Sequence, residues 1–219
     1  MNLHFWINTI DYSISELIWN GIGCSFWLVT YIAIIVNSRK TKFVEMPFVI
    51  AIGNISWEFV WSFCYHPNTG AFYVYGYQAS FILDLFILWM VFKYGSKQIE
   101  IPVIKEYFKF ILIGLIFIWV PLNYYFVKDG FDTPIGANSG YILNLIISLL
   151  YPILYFRNNV QLFSRLVSWS RFLGTGCISV SMFMIYPENH FLHTLAIACF
   201  VIDLSFTLYL EKQFKFSKK

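Results

Sequence analysis

The chain has 219 residues, of which 58% are hydrophobic, 21% aromatic and only 12% charged, against about 25% charged in an ordinary soluble domain. A soluble fold of this length cannot hide so much apolar surface, so a soluble globular domain is excluded and the bilayer becomes the solvent. Each spanning helix then takes about 20 apolar residues. No composition break, low-complexity run or long linker divides residues 1–219, so one domain is expected.

The stretch from Met1 to Glu16 lacks a basic start and carries Asp11 and Glu16, unlike a signal peptide. Its Phe5, Trp6 and Tyr12 suit a short interfacial helix, and the first span is expected to act as a signal anchor. Seven apolar runs follow, at 17–36, 47–65, 73–93, 108–126, 140–156, 168–186 and 191–210. They predict an all-α, seven-transmembrane helix bundle.

Basic residues mark the ends of these runs. Arg39, Lys40 and Lys42 fall between spans one and two, and Lys93, Lys97, Lys105 and Lys109 between three and four. Arg157, Arg165 and Arg171 fall around the junction of five and six, and Lys212, Lys215, Lys218 and Lys219 form the tail. Of the 15 basic residues, only Lys128 falls on the other side. The positive-inside pattern predicts a cytoplasmic C-terminus and an N-terminus outside. The net charge of +3 therefore reflects topology and implies no nucleic-acid partner. The outer loops are short and rich in turn residues; the longest, Lys128 to Ser139, either covers a cavity or is a plain connector.

Cys24, Cys64, Cys177 and Cys199 all fall in apolar runs and read as small buried hydrophobes. No Cys-x-x-Cys pair points to zinc or redox chemistry. Glu188, His190 and His193, with His66 in another outer loop, read as interfacial polar residues. No metal and no cofactor is expected.

Three carboxylates fall inside the spans: Glu58 in the second, Asp84 in the third and Asp203 in the seventh. A charge at such depth costs at least about 2.5–3.5 kcal/mol, and no Lys or Arg is expected at the same depth to pair with them. Helical spacing sets Asn54, Glu58, Trp61 and Tyr65 on one stripe, Tyr77, Ser80 and Asp84 on another, and Tyr141, Asn144, Ser148, Tyr151 and Tyr155 on a third. Lipid would not solvate such stripes, so they imply a central pocket. Trp57 and Trp61 cannot both face it fully, and Trp61, closer to the Glu58 stripe, is the expected one. A carboxylic acid in apolar surroundings keeps its proton, and aromatic faces stabilise cations by up to about 2 kcal/mol each when desolvated. Such a pocket suits protonation of an apolar substrate followed by carbocation guidance; the same pieces suit a proton-coupled transporter.

The segment Gly53-Asn54-Ile55-Ser56-Trp57-Glu58-Phe59-Val60-Trp61 resembles the integral-membrane terpene cyclases of fungal meroterpenoid and indole-diterpene pathways. Length, span count and the Trp-Glu of the second helix carry the likeness, and Asp203 matches by placement an Asp of that family's last helix. The resemblance implies proton-initiated cyclisation of a prenyl or epoxyprenyl substrate without release of diphosphate. It implies Glu58 as general acid and Asp203 as its partner. The expected substrate-binding residues are Asn54, Trp57, Trp61, Tyr65, Tyr77, Asp84 and Asn144. The expected partners are a lipophilic prenylated small molecule and membrane lipid; the oligomeric state is not legible.

The absence of a magnesium-binding Asp cluster agrees with that chemistry; Asp129 and Asp132 stand without further carboxylates. The rival classes are a small seven-helix carrier of a sugar- or vitamin-like solute and a non-catalytic membrane scaffold. The first lacks a matching internal repeat here, and the second leaves the intramembrane acids without a purpose. A retinal-type receptor would need a lysine in the last span, and there is none.

Overall fold

A computed structural model describes residues 3–216; Lys218 and Lys219 of the basic tail lie outside the described residues. Those residues form helices and connecting turns, with no strand among them. The helices are α1 (Leu3–Trp6), α2 (Ile14–Thr41), α3 (Phe48–Phe59), α4 (Ala71–Tyr94), α5 (Pro102–Glu106), α6 (Phe108–Lys128), α7 (Ala137–Phe156), α8 (Arg165–Ile185) and α9 (His190–Phe216). A π-type turn, Val60–Cys64, prolongs α3. Every predicted apolar run thus coincides with a helix. Five of them, α2, α4, α6, α7 and α9, are long and apolar enough to cross a membrane. The run Phe48–Cys64 is apolar but shorter, and α8 carries Arg171 and several Ser and Gly residues among its apolar ones.

Local chemistry sets the ends. Ser13 opens α2 with a capping box: its side chain accepts from the Glu16 N–H, and the Glu16 carboxylate accepts from the Ser13 N–H at 2.7 Å. Gly136, at φ +76°, opens α7 in the left-handed region where only glycine is unstrained.

The helices close a ring in the order α2, α8, α9, α7, α3, α4 and back to α2, with α6 outside against α3. The closest seam is α2 on α8, because two glycines face each other there. A Cβ on Gly23 would stand 2.7 Å from the Gly174 carbonyl and 2.4 Å from Ile178. Small residues let helix backbones approach where no hydrophobic drive separates protein from lipid. Thr30 and Ser170 add a 2.7 Å hydrogen bond across the same seam. On α6, Phe110, Phe117 and Ile118 point outward, Phe117 with 76% of its surface free. Aromatic and aliphatic side chains so displayed are at rest only in lipid. The protein is an integral, multi-pass membrane protein.

Candidate active site

Inside the ring lies a cavity of about 230 Å³, walled by α2, α3, α4, α7 and α8 and by Ile135 and Gly136 of the loop before α7. Its lining is largely aromatic: Trp27, Tyr31, Trp57, Tyr73, Tyr77 and Tyr141 contribute rings or hydroxyls. Tyr77 packs edge-on against Trp57 at 5.3 Å, and Trp27 against Tyr31 at 5.9 Å. At the edge between α2 and α4 the lining includes the exposed Ser25 and Phe72 beside Gly21 and Gly76, so the cavity meets the lipid-facing surface there.

One carboxylate, Glu58, reaches this cavity, 5% exposed. Its Oε1 accepts from the Tyr31 hydroxyl at 3.3 Å, and its Oε2 is buried without a hydrogen-bond partner. The Tyr31 oxygen in turn accepts from Asn54 Nδ2 at 2.5 Å, and the same nitrogen donates to Asp84 Oδ2 at 2.8 Å. A chain of four side chains from three helices thus ends in two carboxyl oxygens, Glu58 Oε2 and Asp84 Oδ1, that have no partner. Buried polar atoms without a partner are costly and uncommon, and a catalytic role is one physical reason for a protein to keep them.

The wall around Glu58 is locked from the loop side. Trp57 Nε1 donates to Ser139 Oγ at 2.7 Å, and the Ser139 hydroxyl donates to Asp132 Oδ2. The other oxygen of Asp132 accepts from the N–H groups of Thr133 at 2.8 Å and Asn138 at 2.9 Å, tying the loop to the first turn of α7. Burial pushes the Asp132 carboxyl up, against the pull of these donors. Gly136 passes so close that a Cβ there would stand 2.6 Å from the Trp61 ring and 2.8 Å from Trp57. The loop 129–136 therefore walls one side of the cavity, through Ile135 and Gly136.

Of the nine site residues expected from sequence, Asn54, Trp57, Glu58, Tyr77 and Asn144 line the cavity, and Asp84 joins it through Asn54. Trp61 does not face it. The π-type turn beginning at Val60 breaks the α-helical column, and Trp61 packs 2% exposed between Trp57 and Tyr65. Tyr65 lies further out, against Tyr124 of α6 at 5.4 Å.

Asp203 is also elsewhere. The expectation that no basic residue shares its depth is corrected by Arg171, which lies six residues into α8 and is 1% exposed. Its Nη2 stands 2.8 Å from Asp203 Oδ1, and its guanidinium lies 4.6 Å from the Tyr151 ring centroid. The lower part of the α7 stripe serves this ion pair, while Tyr141 and Asn144 serve the cavity. Sequence reasoning missed Tyr31 altogether, although Asn20, Cys24, Trp27 and Tyr31 repeat the spacing that revealed the Asn54 stripe. Among the described residues, no group of three or more His, Cys, Asp and Glu side chains is placed to hold a metal ion.

The family model of Pyr4-like transmembrane terpene cyclases matches residues 13–211. The chain belongs to that family. It is also similar to the Pyr4-family terpene cyclase mfmH of Annulohypoxylon moriforme, at 27% identity over 207 residues, covering 86% of this chain and 83% of the relative. No solved structure matches. Family membership makes the chain a membrane enzyme that cyclises terpenoids, and the carrier and scaffold readings fall away.

Proposed function

We propose that the cavity is the active site of a proton-initiated cyclisation, with Glu58 as general acid and a lipophilic prenyl or epoxyprenyl chain as substrate. The observation that carries this reading is the partnerless Oε2 of buried Glu58 at the wall of an aromatic cavity. The Oε2–H bond breaks, and its proton forms a bond to an alkene carbon or an epoxide oxygen. The carbocation so generated passes along the faces of Trp57, Tyr77 and Trp27, where each desolvated ring contributes up to about 2 kcal/mol. Loss of a proton from the last cation restores the balance, so the product is an isomer of the substrate. This corresponds to isomerase or lyase chemistry on a meroterpenoid-type prenylated substrate, and it needs no diphosphate to leave.

The rest of the arrangement is consistent with that role. General acid catalysis of this kind typically contributes about 10²–10⁴-fold. The substrate enters from the bilayer at the edge between α2 and α4. Asp203 is assigned a structural part in the Arg171 ion pair, and Asp84 takes its place as the second acid of the site. The chain crosses the membrane seven times, by α2, α3 with its π-type turn, α4, α6, α7, α8 and α9, with the N-terminus outside and the C-terminus in the cytoplasm. The support is the one-sided distribution of Lys and Arg.

The test uses membranes containing the wild type or Glu58→Gln, incubated with a farnesylated phenol and its terminal epoxide. A cyclised isomer of unchanged mass, formed by the wild type and lost in Glu58→Gln at equal protein level, is expected. Turnover undiminished in Glu58→Gln would remove Glu58 as the proton donor.

A further inference from the structure

We infer that Tyr31, pinned by Asn54, chooses which oxygen of Glu58 carries the proton that starts the reaction. This rests on the reading of Glu58 as the acid, and it follows from the direction of three hydrogen bonds.

An amide nitrogen has two hydrogens and accepts nothing. Asn54 Nδ2 directs its two hydrogens at the Tyr31 oxygen, 2.5 Å away, and at Asp84 Oδ2, 2.8 Å away. The Tyr31 oxygen is therefore the acceptor on its Asn54 side, and its own hydrogen must turn elsewhere. The acceptor on its other side is Glu58 Oε1, at 3.3 Å. Of the two oxygens of a neutral carboxyl group, the carbonyl oxygen is the better acceptor. Oε1 is accordingly the carbonyl oxygen, and the hydroxyl is Oε2, the buried atom with no other partner. Asp84, 1% exposed, is the anchor at the far end, since it fixes one amide hydrogen and with it the orientation of Asn54.

The same contact acts on the transition state more than on the resting acid. When the Oε2–H bond breaks, its electron pair stays on the carboxyl group, and negative charge spreads to Oε1. The Tyr31 bond then becomes charge-assisted, and such bonds are shorter and roughly twice as strong as neutral ones. At 3.3 Å it has room to shorten. An interaction that strengthens only as charge develops raises kcat and leaves KM alone. Tyr31 is thus a positioning residue, and Tyr31→Phe should lower kcat about tenfold with KM little changed.

The deciding experiment needs no turnover. Wild type, Glu58→Gln, Tyr31→Phe and Asn54→Leu, each with carboxyl-labelled glutamate, are reconstituted in lipid, and their infrared spectra are compared in the carboxylic-acid C=O region. The wild-type band that disappears in Glu58→Gln belongs to Glu58. It is expected to move to higher wavenumber in Tyr31→Phe, where Oε1 loses its donor, and in Asn54→Leu, where Tyr31 is no longer held. The second variant keeps the test independent of whether the first folds. A Glu58 band that stays in place in both overturns the inference and leaves Glu58 as the acid. No Glu58-dependent band in that region overturns the acid reading itself.

Discussion

Two polar clusters are buried in this helix ring, and they are built on opposite principles. In the lower one, each acid faces a donor, and the partnerless atoms are nitrogens, Nε and Nη1 of Arg171. Arg171 meets Asp203 at 2.8 Å. Glu45, 1% exposed between α2 and α3, accepts from the Ser164 N–H at 2.6 Å, from Asn37 at 3.0 Å and from the Tyr151 hydroxyl at 3.4 Å. In the upper one, Glu58 and Asp84 share a single bridge through Tyr31 and Asn54, and each is left with a bare oxygen. The lower cluster joins α8 to α9 and ties the segment after α2 to the start of α8. The upper one borders empty space. A buried acid with its partners complete holds helices together, and one left incomplete beside a cavity is available for chemistry.

The sharpest way to break this contrast is an isosteric neutralisation in the upper cluster. Glu58→Gln should reduce cyclisation by about 10²–10⁴-fold, with a melting temperature in detergent no lower than that of the wild type. Wild-type turnover in that variant, or its failure to fold, would erase the distinction between the clusters from the upper side.

The next largest effect is on stability. Asp203→Leu strands the Arg171 guanidinium without its counter-charge, and breaking a buried pair from one side costs about 3–5 kcal/mol. A sharp loss of folded protein is expected. Adding Arg171→Met to the same chain should recover most of it, because two apolar side chains of similar volume need no pairing. Folded yield and thermal unfolding read both outcomes. If the double variant folds well and still cyclises substrate, Asp203 is no part of the chemistry; if it folds and is inactive, Asp203 belongs with Glu58 after all.

The two clusters were unequally legible in the sequence. Glu58, Asn54 and Tyr77 were readable, because helical spacing and the expense of intramembrane charge are local properties of a chain. The seven apolar runs were readable for the same reason, and each matches a helix to within a few residues. The ion pair of Asp203 was not readable, because its partner Arg171 sits on another helix. Arg171, near the start of a run and six residues after Arg165, reads as a topology marker until α8 is seen to start at Arg165. The place of Trp61 off the cavity was not readable, because nothing in Val60–Cys64 announces a π-type turn. Glu45 gave no signal, since an acid next to a basic loop reads as solvated.

A smaller effect tests the wall around the acid. Gly136→Ala forces a side chain into the left-handed region, at about 1–2 kcal/mol, and drives its Cβ against Trp57 and Trp61. The expected result is a raised KM with a modest drop in melting temperature, as the loop lifts and Trp57 loses its place. An unchanged KM would mean that the loop walls the cavity without shaping it.

The smallest effect comes from a second arginine–carboxylate pair, which isolates what burial contributes to the first. Arg157 meets Glu100 at 3.0 Å, close to the separation of Arg171 and Asp203, but with half or more of each side chain in solvent. The Arg157 guanidinium holds the Glu100 carboxyl below the usual range through its hydrogen bond and charge. A lowered carboxylate contributes stability above its unfolded value of about 4.3, and that contribution is lost as pH falls through the lower, folded value. Solvent and salt screen such a pair almost completely. Arg157→Gln should therefore leave the melting temperature unresolved from wild type at neutral pH, at high salt and in acid alike, while Arg171→Gln collapses the fold under all three. Equal sensitivity of the two pairs would show that the buried one is wetted, and would remove the reason for setting Asp203 apart from the acid of the cavity.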